Sequence, residues 1–201
     1  MADLLLEPQP TEWRGRAIRA DYRPMGWLCN QLLRGRGDKD PAGLTTEALR
    51  RFYCEPVRLE DAPDAFEGLV EFYAAGLNLS NSSQSGAEHP SAGELAFDYQ
   101  TDASAIVAAF QQAYGIDLTT EKLHWWRFRA LFAALPKETQ IAQIMSYRVM
   151  DLSKIEDPKQ RQYYAELKAT YTLPAELRGG KRIESVQDHD AAFLARFRRK
   201  A

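Results

Sequence analysis

Apolar residues recur at three- to four-residue spacing over most of the chain, which predicts a mainly α-helical protein. Asp21 reads as an N-cap with Pro24 in the first turn, and Met25, Leu28, Cys29 and Leu32 form one apolar side that ends at Gly35 or Gly37. A short helix over about 46–53 groups Ala48, Leu49 and Phe52. Asp61 reads as the cap of a third helix with Pro63 in its first turn, burying Ala62, Phe66, Leu69, Val70 and Tyr73 until Gly76 stops it. Ahead of these, Gly15 stands at a turn position between short alternating flanks and predicts a small N-terminal β-hairpin.

The pattern then breaks. Residues 78–94 hold five Ser, two Gly, one Pro and a single Leu, too little apolar surface to offset the entropy of ordering. The expectation is a flexible Ser-rich linker with an r.m.s. reach of roughly 23 Å, in which His89 is simply solvated. It divides the chain into two helical subdomains: 1–77, hairpin included, and an aromatic-rich 95–174, followed by a basic tail over 175–201.

Beyond the linker, Thr101 reads as an N-cap for a helix whose face is Ala103, Ile106, Val107, Phe110, Ala113 and Tyr114, closed by Gly115. Thr119 or Thr120 with Glu121 opens a helix over 121–135 that Pro136 ends. It is apolar on two faces: Trp125, Phe128, Leu131, Phe132 and Leu135 share one arc, while Leu123, Trp126, Ala130 and Ala133 lie opposite. Such a helix, with Arg127 and Arg129 at its seams, belongs inside a bundle or between a bundle and a partner. His124, at the edge of the first arc, reads as a hydrogen-bonded packing residue. The helix over 137–150 buries Ile141, Ile144, Met145 and Val149, with Arg148 in the same arc. That guanidinium must snorkel, meet a partner chain, or pair with a carboxylate such as Asp151. The next helix, from Asp157-Pro158, lines up Tyr163, Tyr164, Leu167 and Tyr171, a composition that suits an interface as well as a core. Residues 188–200 read as a basic amphipathic helix or a tail that folds on binding. Trp126, Arg127, Tyr147 and Arg148 are the candidate partner-binding residues; a core role for Trp126 and Arg148 is the competing reading.

The chain has 201 residues, 45% hydrophobic and 27% charged, an ordinary globular composition. Its net charge of −2 excludes a global pull onto nucleic acid or anionic lipid. That sum conceals +2 over 1–54, −9 over 55–102, +1 over 103–177 and +4 over 178–201. The asymmetry fits self-complementary contacts between copies, two faces for two partners, or solvated faces. Cys29 and Cys54 read as packing residues in a cytosolic chain. With three scattered histidines and no CxxC, HExxH or glycine-rich phosphate loop, the sequence presents no local catalytic, cofactor or metal constellation. Leu4 to Leu6 is far too short for a membrane span.

The run HWWRFRALF at 124–132, with Leu135-Pro136, IMSYR at 144–148, MDLSKI at 150–155, Tyr163-Tyr164 and Leu173-Pro174, resembles a family of tailed-phage proteins named after gene product fifteen of a long-tailed phage. The resemblance extends to Glu7-Pro8, ADYR at 20–23, Phe72-Tyr73, FDY at 97–99 and YGIDL at 114–118, covering roughly 4–174 in order. It implies no enzymatic activity and no cofactor. Members are encoded between the major tail protein and the tape measure protein of siphoviruses and prophages. The resemblance therefore implies a non-enzymatic tail assembly chaperone in the host cytoplasm. It would bind the helical tape measure protein, with the major tail protein and further copies of itself as additional partners. The alternative is a structural tail or head–tail connector component of the virion. DNA binding ranks below both, because the −9 segment repels phosphate.

Overall fold

The computed structural model describes residues 8–75, 95–177 and 185–198. The linker expected over 78–94 and the glycine pair at 179–180 lie outside them. A two-stranded antiparallel hairpin, β1 (Glu12–Trp13) and β2 (Arg16–Ala17), pairs Glu12 with Ala17 and Trp13 with Arg16. Arg14 and Gly15 turn it with φ of 48° and 72°, and glycine supplies the second of these without strain.

Nine α-helices follow among the described residues: α1 (Tyr22–Leu33), α2 (Arg36–Lys39), α3 (Pro41–Phe52), α4 (Ala62–Ala75), α5 (Ala103–Tyr114), α6 (Trp125–Ala133), α7 (Gln140–Val149), α8 (Pro158–Thr170) and α9 (Val186–Arg198). In α1 the Asp21 carboxylate accepts from the Arg23 amide, and Met25, Leu28, Cys29 and Leu32 are buried as their spacing predicts. α3 begins five residues earlier than expected, because the Asp40 carboxylate caps it at Gly43 and Pro41 pre-sets the first turn. The Arg19 guanidinium donates to the carbonyls of Arg50, Tyr53 and Cys54, supplying donors and positive charge to the end of α3.

Helix α4 starts at Ala62, directly after Asp61, which also ends a 3₁₀ turn over Leu59–Asp61 and pairs with Arg58 and Arg16. Four local expectations are corrected. Asp102, not Thr101, is the N-cap position of α5; the Thr101 amide donates instead to Asp98. α6 starts at Trp125, not 121, because residues 121–124 join an extended contact with the start of α1. There Asp21 and His124 form an antiparallel bridge, the Tyr22 amide donates to Leu123 and the Trp125 amide donates to Ala20. Helix α7 likewise starts at Gln140, since Thr139 turns back to the Pro136 carbonyl. Cys29 is buried, but Cys54 is exposed and so is not a packing residue.

Helices from both sides of residues 76–94 contribute to one hydrophobic cluster running from Ile18 to Leu194. Its centre is aromatic. Phe128 stacks between Tyr22 at 4.6 Å and Phe110 at 5.1 Å, while Phe72 stacks on Trp126 at 5.1 Å and packs against Phe52. Offset and edge-on aromatic pairs of this kind contribute beyond their buried area. α6 is thus the central helix, touching α1 on one side and α9 on another.

Candidate partner interface

Three of the four candidate residues find their partners within the chain, each for a local reason. Trp126 is 3% exposed; its indole N–H donates to the Phe72 carbonyl at 2.8 Å, and its ring also meets Trp13 edge-on. The His124 imidazole places it: Nδ1 accepts from the Trp126 amide at 3.2 Å while Nε2 faces the Pro10 carbonyl at 3.4 Å. An accepting Nδ1 requires a neutral ring, and burial lowers the His124 pKa in the same direction. Arg148 forks onto Asp102 at 2.6 and 2.8 Å and donates to the carbonyls of Ala96 and Tyr171. Its carboxylate partner comes from the start of α5, not from Asp151, which caps the following 3₁₀ turn. Tyr147 is half-buried and packs on Tyr164 and Tyr171; Arg127 is exposed.

Arg127 and Tyr147 thus remain at the surface. Tyr147 belongs to a wider tyrosine face formed where α7 meets α8. Tyr147 and Tyr171 stack at 6.0 Å, Tyr164 sits 6.3 Å from Tyr147, and Tyr163, 58% exposed, packs edge-on to Tyr164. No residue of α8 is buried, so this helix presents most of its surface outward. It is positioned by the Asp157 cap, by Pro158 in the first turn, by Arg161 donating to the Ile155 carbonyl, and by Lys168 donating to Met150. Such a face offers apolar ring area and hydroxyl donors together, with little side-chain entropy to lose on contact.

A second polar site lies inside, where the tail read as basic is in fact docked. Asp190 of α9 accepts from the Tyr73 hydroxyl at 2.5 Å and from Arg129 Nη2 at 2.6 Å. The Arg129 guanidinium also lies over the rings of Tyr73 and Trp125. The Cys29 thiol donates to the Tyr73 hydroxyl at 3.7 Å. Burial pushes the pKa values of Tyr73 and Cys29 well above their ordinary ranges, so both stay protonated at neutral pH. Of this site, periodicity places Cys29 and Tyr73 on buried faces and Arg129 at the seam of its helix, and leaves out the residues of α9. The signal for Asp190 and His189 is their place in the spacing Val186, His189, Asp190, Phe193, Leu194, which the surrounding arginines obscure.

Charge completes the geometry. Arg14 reaches Asp64, Glu67 and Glu71 along α4, Arg16 reaches Asp61 and Asp64, Arg34 reaches Asp98, and Arg148 reaches Asp102. Much of the acidic segment is therefore matched by arginines within the same chain. Among the described residues, no group of three or more His, Cys, Asp or Glu is placed to hold a metal ion, and no helix is long and apolar enough to cross a membrane.

A mainly helical chain with an aromatic core, a partly exposed tyrosine cluster and internal charge matching is compatible with many kinds of protein. Its sequence says of which kind: residues 46–173 match the family described as bacteriophage Gp15 protein, and the chain belongs to that family. It is accordingly a phage structural or assembly protein. No curated protein and no solved structure matches it.

Proposed function

We propose that this chain is a non-enzymatic tail assembly chaperone that binds the tape measure protein while the long tail polymerises. The observation that supports the reading, beside family membership, is the tyrosine face of α7 and α8, displayed by a helix with no buried residue. Tyr147, Tyr163 and Tyr164 would contact an extended helical client, and Arg127 would engage the client's acidic positions from α6. Trp126 and Arg148 would hold these helices in place from the interior. Co-expression with the tape measure protein tests this: a stable complex and more soluble client are expected. Failure to bind or solubilise it overturns the proposal. Mass spectrometry of purified virions separates this reading from a structural tail or connector component, since a chaperone is depleted from finished particles and a component is retained.

A further inference from the structure

We infer that the surface between α4 and α6 is an exchangeable helix-binding groove, filled at rest by α9 and open to an amphipathic partner helix that carries a carboxylate among its apolar positions. α9 touches both helices and enters with Val186, His189, Asp190, Phe193 and Leu194, spaced as the anchors of a helix laid in a groove. Phe193 stacks on Tyr73 of α4 at 3.8 Å, and Asp190 reaches Arg129 of α6. Both walls lie within the residues matched by the family, whereas α9 lies beyond them.

Arg129 sets the specificity. Its side chain is 8% exposed, so an incoming helix without a carboxylate at the position of Asp190 would leave a buried cation uncompensated. The rings of Tyr73 and Trp125, at 5.5 and 5.6 Å from the guanidinium, belong to the walls and keep supporting it when α9 leaves. The ring of His189 stacks on Phe97 at 5.2 Å and meets Tyr99 edge-on, with Nδ1 4.0 Å from the Asp190 carboxylate, so it is held by ring packing more than by hydrogen bonds. Among the described residues, neither ring nitrogen of His189 nor Nη1 of Arg129 has a hydrogen-bond partner, although buried polar groups are normally paired. A partner helix with an apolar residue in place of His189 keeps that ring packing and buries two fewer unpaired nitrogens, which is the advantage we assign to a competitor. The groove is separate from the tyrosine face. It rests on the chaperone reading only for the source of the competitor, which a long helical client would supply.

The test uses the full chain and a fluorescent peptide of residues 185–198. The Asp190→Lys protein, whose own α9 is repelled by Arg129, should bind the peptide at least ~10-fold tighter than the wild type, because its groove is no longer mostly occupied. Peptide bearing His189→Leu should bind tighter than the native peptide, and peptide bearing Asp190→Asn weaker. Hydrogen exchange on the wild-type protein decides the matter if Asp190→Lys does not fold: saturating His189→Leu peptide should deprotect 186–198 while α4 and α6 stay protected. Equal affinity of all three peptides, or α9 amides as protected as those of α6 and unmoved by peptide, overturns the inference. Peptide exchange without tape measure binding would refute the chaperone reading alone, and the converse would refute the groove alone.

Discussion

Arg148→Met removes the cation from a pair whose side chains are only 7% and 5% exposed. Four hydrogen bonds go with it: two to the Asp102 carboxylate, one to the Ala96 carbonyl at 3.1 Å and one to the Tyr171 carbonyl at 2.6 Å. Met fills similar volume, so the loss is electrostatic: among the described residues, Asp102 stays buried with only the Asp98 amide donating to its carboxylate at 2.9 Å. Removing one member of a buried pair costs about 3–5 kcal/mol. For a chain of this length that corresponds to a fall in Tm of roughly 6–20 °C. Urea unfolding followed by far-UV circular dichroism and tryptophan fluorescence measures it. Arg148→Lys should lie between wild type and Met, since it keeps the charge but not the fork. Arg148→Met combined with Asp102→Leu should recover part of the loss, because no buried charge is then left alone. A loss below about 1 kcal/mol for Arg148→Met, the size of an ordinary neutral hydrogen bond, would refute the reasoning.

Trp126→Ala should cost about 3–5 kcal/mol as a large-to-small core change, whereas Arg127→Ala should stay within about 0.5 kcal/mol; urea midpoints for the two variants check the contrast, and equal losses would contradict the assigned positions. Glu47 is held between Arg50 and Arg51, which lower its pKa to about 2 from an ordinary 4.5. Its contribution to stability is therefore present above pH 4.5 and is lost as pH falls toward 2; an NMR titration of the Glu47 carboxyl should show the low midpoint, and one near 4.5 would be incompatible with the paired geometry. Burial lowers the His124 pKa below the ordinary 6.5, so the neutral cap is fully present above that pH and weakens as pH falls through it. His124→Ala should cost about 1 kcal/mol at neutral pH and flatten that acid-side slope, while His124→Asn, another capping residue, should retain most of the stability.

The helical class, the hairpin and the buried face of α1 were legible because each rests on local chemistry: a cap, a spacing and a stop; the face of α5 was legible only in part, since Ile106 and Phe110 are buried as expected while Ala103 is exposed and Ala105 and Ala109 take its place. What local reading missed depends on residues far away in sequence. The start of α6 is one case, since residues 121–124 have acceptable helical propensity but are drawn into an extended contact with residues 20–22. Periodicity found Arg148 inside an apolar arc and offered a carboxylate pair as one of three ways to satisfy it, the one the fold adopts. It could not choose Asp102 over Asp151, because that choice is made by packing α5 against α7. Of the two readings of the tail, a basic amphipathic helix or a segment that folds on binding, the structure shows the helix, docked by Val186, Phe193 and Leu194 together with buried His189 and Asp190. For the candidate interface, the tyrosines of α8 were visible as a stripe, but only the fold distinguishes an outward stripe from an inward one.

The main core, which joins residues far apart in the chain, has a consequence in time. Tyr22 donates to Leu118, Trp126 to Phe72, and Tyr73 to Asp190, pairs separated by 96, 54 and 117 residues. During synthesis at about 5–20 residues per second, Tyr73 leaves the ribosome roughly 6–25 s before Asp190 does. For that interval Tyr73 lacks the Phe193 ring and the Asp190 carboxylate that meet it in the finished fold. A helical protein built this way meets larger loop-closure costs than a bundle held together by sequence neighbours alone, so its slowest folding step is expected to wait for the end of the chain.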